Sequence, residues 1–143
     1  MLAQPPPAWK EMYLRYNLVR PIPEQVVETI LDFTPSGREY GPRGPGRHVP
    51  PSDVRAAALK GLRLSHKNNY TSASGIGIAR AVQLALAPEV WDRTVKRMDN
   101  YFLRHRKDQE ARNFGNDRNP SRGYMAWLNW GGDPGWEWAH LRK

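Results

Sequence analysis

At 143 residues the chain has room for one domain and an appendage, and its 39% apolar content limits that domain to a modest core. Six Trp, six Tyr and three Phe compensate in part, because each buried aromatic removes about 150–250 Å² from water. A net charge of +8 favours a polyanionic partner, the lack of cysteine excludes disulfides and thiolate metal sites, and no apolar run approaches the length of a membrane span.

The N-terminus has no charged segment followed by an apolar one, so no secretory signal is expected. Residues 1–50 hold nine of the thirteen prolines and are nearly balanced in charge. Two short helices are predicted there. Trp9–Tyr16 places Trp9, Met12, Tyr13 and Tyr16 on one face, and Pro23–Asp32 has Val26, Val27 and Ile30 as its apolar stripe. The Gly-, Pro- and Arg-rich run from Thr34 to Pro50 is expected to be extended. Such an arm suits docking on an existing surface more than building a core. Trp9, Tyr13, Tyr16, Val26 and Ile30 are its candidate assembly contacts.

Residues 51–143 carry +7 of the +8. A first helix over Asp53–His66 is expected to start at a Ser52 cap, with Val54, Ala57, Ala58 and Gly61 inward. A second spans Ser74–Leu86, with Ile76, Ala79, Val82 and Leu86 as its stripe, and Pro88 stops it. Gly75-Ile76-Gly77 at its start reads as close helix packing, since no strand precedes it and no third glycine is in phase for a dinucleotide site.

The third helix, Glu89–Lys107, has the clearest periodicity. Trp91, Val95, Met98 and Phe102 fall in a narrow arc. Opposite them lie Arg93, Lys96, Arg97, Arg104 and Lys107, the candidate nucleic-acid or acidic-surface contacts, because cations on one face can neutralise several phosphates. Asp92, Asp99 and Asp108 flank the stripe, as they would on a merely solvated face. A polar loop, Asp108–Asn119, leads to a fourth helix, Ser121–Trp130, ended by Gly131-Gly132, and then to a short helix or turn over Asp133–Leu141. No alternating strand pattern of useful length and no internal repeat is present.

The expected fold is therefore all-α: a small bundle of four to six short helices over 51–143 with an extended Pro/Gly-rich arm over 1–50. The four histidines (His48, His66, His105, His140) have no ligand spacing, so no metal or cofactor is expected. Ser72, Ser74 and Ser121 read as helix caps, and no motif supplies a nucleophile, base and orienting group together, so no enzyme is expected. In Pro120–Ala139, Tyr124, Trp127, Leu128 and Trp138 are expected to form an aromatic core, with base stacking on exposed Trp the lesser alternative.

That last stretch resembles a module of tailed bacteriophages, found as small stand-alone proteins and as a piece of larger head-morphogenesis proteins. The pattern is Pro-Ser-x-Gly-x-x-Ala-Trp-x-x-Trp-Gly-Gly-Asp-x-Gly-x-x-Trp-Ala, and Pro120–Ala139 matches it closely. Val54–Leu64, Gly75–Leu84 and Arg97–Lys107 resemble its earlier helices more loosely, so the likeness covers 51–143. Pro134 stands where a small residue is usual, and the Pro-rich extension is a further departure. The resemblance implies a phage setting without a settled activity: a head-associated virion structural protein, present in multiple copies, in contact with capsid or connector, and found in the virion and in host cytoplasm during assembly. The alternative expectation is a basic DNA-binding accessory protein.

Overall fold

The computed structural model describes residues 46–68, 75–86 and 89–142, with side chains at 75, 76 and 86 excepted. Both arm helices, with Trp9, Tyr13, Tyr16, Val26 and Ile30, lie outside the described residues. The described chain is mainly helical. A two-residue strand β1 (Arg47–His48) is followed by α1 (Ser52–Lys67), α2 (Gly75–Leu86), a second short strand β2 (Val90–Trp91) and α3 (Asp92–Arg104). A 3-10 turn (Arg106–Glu110), α4 (Arg122–Asn129) and α5 (Gly132–Arg142) complete it. Helix α1 packs on α2, α4 and α5, and α5 also packs on α3, so α5 stands between α1 and α3.

Two helix starts depart from expectation. Ser52 is not the cap of α1: Pro51 occupies that position in extended geometry (φ −68°, ψ 164°), and Ser52 is already helical. The fixed φ of proline pre-sets this entry, and the Pro51 carbonyl accepts from Arg55 N at 3.1 Å. The third helix begins at Asp92 rather than Glu89, because Val90 and Trp91 pair antiparallel with β1, in the register Arg47↔Trp91 and His48↔Val90. It ends at Arg104, so Lys107 lies in the 3-10 turn and not on the helix.

Other local rules hold as read. Ser121 caps α4, its hydroxyl accepting from Tyr124 N at 3.1 Å. Gly131 (φ 113°) and Gly132 (φ 65°) take the left-handed backbone that reverses the chain between α4 and α5. Pro134 falls in the first turn of α5, where a missing N–H is no loss.

Burial follows the stripe on α3: Val95, Met98 and Phe102 are fully buried and Trp91 nearly so. On α2 the expected single stripe is too narrow. Gly77 through Leu84 are all buried, including Arg80 and Gln83. Arg80 lies 5.0 Å from the centre of the Trp130 ring and bonds to the Gln83 side chain.

Trp127, 1% exposed, is the centre of the aromatic core. Phe102 meets it edge-on at 4.7 Å, Trp136 at 5.6 Å and Phe114 at 5.7 Å. Its Nε1 donates to Asp133 Oδ1 at 2.9 Å, so burial leaves no polar group unpaired on the ring. Trp138 is buried as well, and Tyr124 and Leu128 join a satellite cluster with Leu64 and Met125. Helices α1 and α4 approach closely at Gly61, where a Cβ would come within 2.7 Å of the Asn129 backbone N.

Trp127→Ala should cost about 3–5 kcal/mol, much of the ~5–15 kcal/mol of a typical domain, and urea unfolding of the full chain will read this as a lower midpoint. Gly61→Ala should also lower it, since its obstacle is backbone that cannot rotate away. An unchanged midpoint for Trp127→Ala would contradict the core role.

Candidate functional site

The candidate surface is the solvent side of α3. Arg93, Lys96, Arg97 and Arg104 fall within an arc of about 100° at 3.6 residues per turn, opposite the buried stripe. Lys96 and Arg104 are exposed, and Arg93 and Arg97 are half-buried. Lys107 is exposed too but extends the surface from the 3-10 turn.

Each of the three flanking acids has a histidine partner. Asp99 has only 3% of its side chain exposed, and His140 of α5 donates from Nδ1 to its Oδ1 at 3.0 Å. A carboxylate can only accept, so the ring nitrogen carries the proton. Asp92 is held by His48 Nε2 from β1, and His105 Nδ1 stands 3.3 Å from Asp108 Oδ2. Three histidines thus engage the three acids, and two of them come from elements distant in the chain. Sequence reasoning missed both long-range pairs, and no spacing rule signals partners 44 and 41 residues apart.

Some cations elsewhere in the fold are also engaged, as Arg93 and Arg97 are. Arg55 donates from Nε to the Pro50 carbonyl and from Nη1 to the Leu84 carbonyl, both at 3.1 Å, and burial lowers its pKa. Arg47 pairs with Glu89 at 2.9 Å and lies 4.6 Å from the Trp91 ring centre. Lys60 reaches Asp117 Oδ2 at 3.0 Å, while Tyr124 donates its hydroxyl to Asp117 Oδ1 at 2.7 Å. This trio fastens the 111–121 loop to α1. The Tyr124 bond, then Lys60, hold the Asp117 carboxyl below its ordinary range. Tyr124 and then Asp117 raise the Lys60 ammonium above its own.

On α5, Asp133, Glu137 and His140 line a shallow depression of about 390 Å³ together with Trp136 and, from the 3-10 turn, Gln109. Among the described residues, no group of three His, Asp or Glu side chains is placed to hold a metal ion, and no helix is long and apolar enough to cross a membrane. Compared with protein-family models, curated proteins and solved structures, the chain shows no match.

Tyr101 stacks on Trp130 at 4.6 Å and 6°, and its hydroxyl is buried with no hydrogen-bond partner among the described residues. Burial, with a smaller contribution from Asp108, raises its pKa well above that of a free phenol. Stability is therefore at full value below the unfolded phenol pKa of about 10. It falls as pH climbs from there toward the folded value, by about 1.4 kcal/mol per unit. Tyr101→Phe should leave the melting temperature at pH 7 unchanged or higher and make the loss between about pH 10 and 12 shallower. A melting temperature several degrees lower at pH 7 would mean that the hydroxyl is bonded after all.

Proposed function

We propose that the chain is a non-enzymatic structural and assembly protein of a bacteriophage head. Its helical domain docks through the basic face of α3 on an acidic surface of a neighbouring capsid or connector protein, and residues 1–50 supply further assembly contacts. The observation that carries this reading is the one-sided display of Arg93, Lys96, Arg97 and Arg104 on a helix whose own acids are taken up by histidines. Its phage setting comes from the likeness of Pro120–Ala139 to the head-morphogenesis module.

The groups of that stretch have inward-directed roles, which supports a scaffold in preference to a reactive site. Ser121 caps a helix, Asp133 accepts from the Trp127 indole, and Trp127 and Trp138 are core. A second reading, direct DNA binding, is favoured by the same face. Cations along one helix suit a phosphate backbone as well as an acidic protein.

Reversal of Arg93, Lys96 and Arg97 to Glu should move elution from immobilised DNA or heparin to much lower salt. The wild type should show a log–log salt slope worth several phosphates. Retention that ignores salt, or a triple variant that elutes with the wild type, overturns the role of the face. Removing residues 1–45, which spares Arg47 and His48, should preserve the helical circular dichroism and abolish incorporation into the parent particle. If the truncated chain still assembles and loses DNA retention instead, the nucleic-acid reading replaces the structural one.

A further inference from the structure

Six Lys and Arg residues fall between positions 104 and 122: Arg104, Arg106, Lys107, Arg112, Arg118 and Arg122. All six are exposed, and among the described residues none of their side chains has an ion-pair or hydrogen-bond partner. The acids of the same stretch are Asp108, Glu110 and Asp117. Two of them are already engaged, Asp108 by His105 and Asp117 by Lys60 and Tyr124. The fold gathers the stretch together. The 3-10 turn packs on both α3 and α4, and a Cβ on Gly123 would stand 2.7 Å from Asp108 Cβ. Arg122 therefore enters α4 beside the turn that carries Arg106 and Lys107. Ser121 N donates to the Asn113 carbonyl at 3.3 Å, which closes the loop and sets Arg112 next to the start of α4. Within the loop, Asn116 Oδ1 accepts from the backbone N of Arg118 and of Asn119 at 3.0 and 3.1 Å, and Phe114 lies edge-on to Tyr124 at 5.2 Å.

We infer that these cations form a binding surface for the phosphate backbone of a nucleic acid, sharing Arg104 and Lys107 with the solvent side of α3 and otherwise separate from it. An exposed cation without an internal partner releases counterions on meeting a phosphate and breaks no ion pair to do so. Arg93 and Arg97 differ in this respect, since each is already engaged. Five of the six cations are Arg, whose guanidinium fork meets two phosphate oxygens at once. Gln109 and Asn119 are exposed neutral amides on the same stretch, and such groups also donate to phosphate. An acidic protein fits less well, because protein interfaces have an apolar or aromatic centre. Between 103 and 122, Leu103 is the one large apolar side chain that stands exposed, at 40%. The fastened loop also lowers the ordering cost of binding, since the backbone under Arg112 and Arg118 is set beforehand. This surface goes beyond the role proposed for the α3 face and does not rest on it.

Fluorescence anisotropy of a short labelled DNA duplex titrated with the full chain tests it, at several salt concentrations between about 0.05 and 0.2 M. Arg106→Ala, Arg112→Ala, Arg118→Ala and Arg122→Ala, made together, should lower the log–log salt slope by about 3–4, at about 0.9 per phosphate. Binding at the low end of the salt range should weaken about a hundredfold. Lys in place of the same four arginines keeps the charge and should keep most of the slope. These side chains are exposed, and unchanged circular dichroism melts will confirm that both variants fold. A loss confined to the four-Ala variant, with the Arg93, Lys96 and Arg97 reversal binding normally, upholds this surface and overturns the α3 face as a polyanion site. A four-Ala variant that binds like the wild type, or a four-Lys variant that binds as poorly as the four-Ala one, overturns the inference. So does a wild type whose binding ignores salt. Polyglutamate that displaces the duplex at equal charge concentration overturns it too, and assigns the surface to an acidic protein.

Discussion

The indole of Trp127 is where α3, α4, α5 and the 111–121 loop converge, and its burial depends on one hydrogen bond. Asp133 sits six residues further on, across the Gly131-Gly132 reversal, and accepts the only polar proton of the ring at 2.9 Å. Without that acceptor, an indole N–H removed from water would cost about 1–3 kcal/mol in a core that is small to begin with. The reversal and the bond are mutually dependent. The glycines allow the backbone to turn, and the bond selects the turn that brings α5 back against α3. Phe102, Phe114 and Trp136 then close around the ring from three elements. Much of the Pro120–Ala139 stretch is accounted for by this one construction.

From that packing follows the electrostatic character of the surface. Seating α5 on α3 carries His140 to Asp99, and pairing β1 with β2 carries His48 to Asp92. Both acids belong to the helix that displays the cations, and both are paired with histidines from other elements. The cations of α3 lie on the side of the helix opposite its buried stripe, while the solvent side of α5 carries Asp133 and Glu137.

Several elements could be read directly from the residues. The spacing of Trp91, Val95, Met98 and Phe102 gives the buried side of α3 and, by opposition, the face of Arg93, Lys96, Arg97 and Arg104. Ser121 and the Gly131-Gly132 pair mark the ends of α4 as their chemistry requires. The misreadings share a cause. Glu89–Trp91 has the periodicity to extend α3, yet β1 claims Val90 and Trp91. Ser52 has the chemistry of a cap, yet Pro51 already provides the extended entry. Helix α2 is buried far beyond a single stripe, and Arg80 within it is enclosed beside Trp130 and Gln83.

The sequence by itself determined a mainly helical domain with an aromatic centre and a helix bearing cations on one side. Periodicity, caps and glycine turns act within one or two helical turns, so their effects are written in neighbouring residues. Only the tertiary structure decided which acids those cations keep as neighbours and where the carboxylates of α5 come to lie. Those outcomes depend on contacts between residues more than forty positions apart, whose closure is governed by packing of the whole core and by no local pattern.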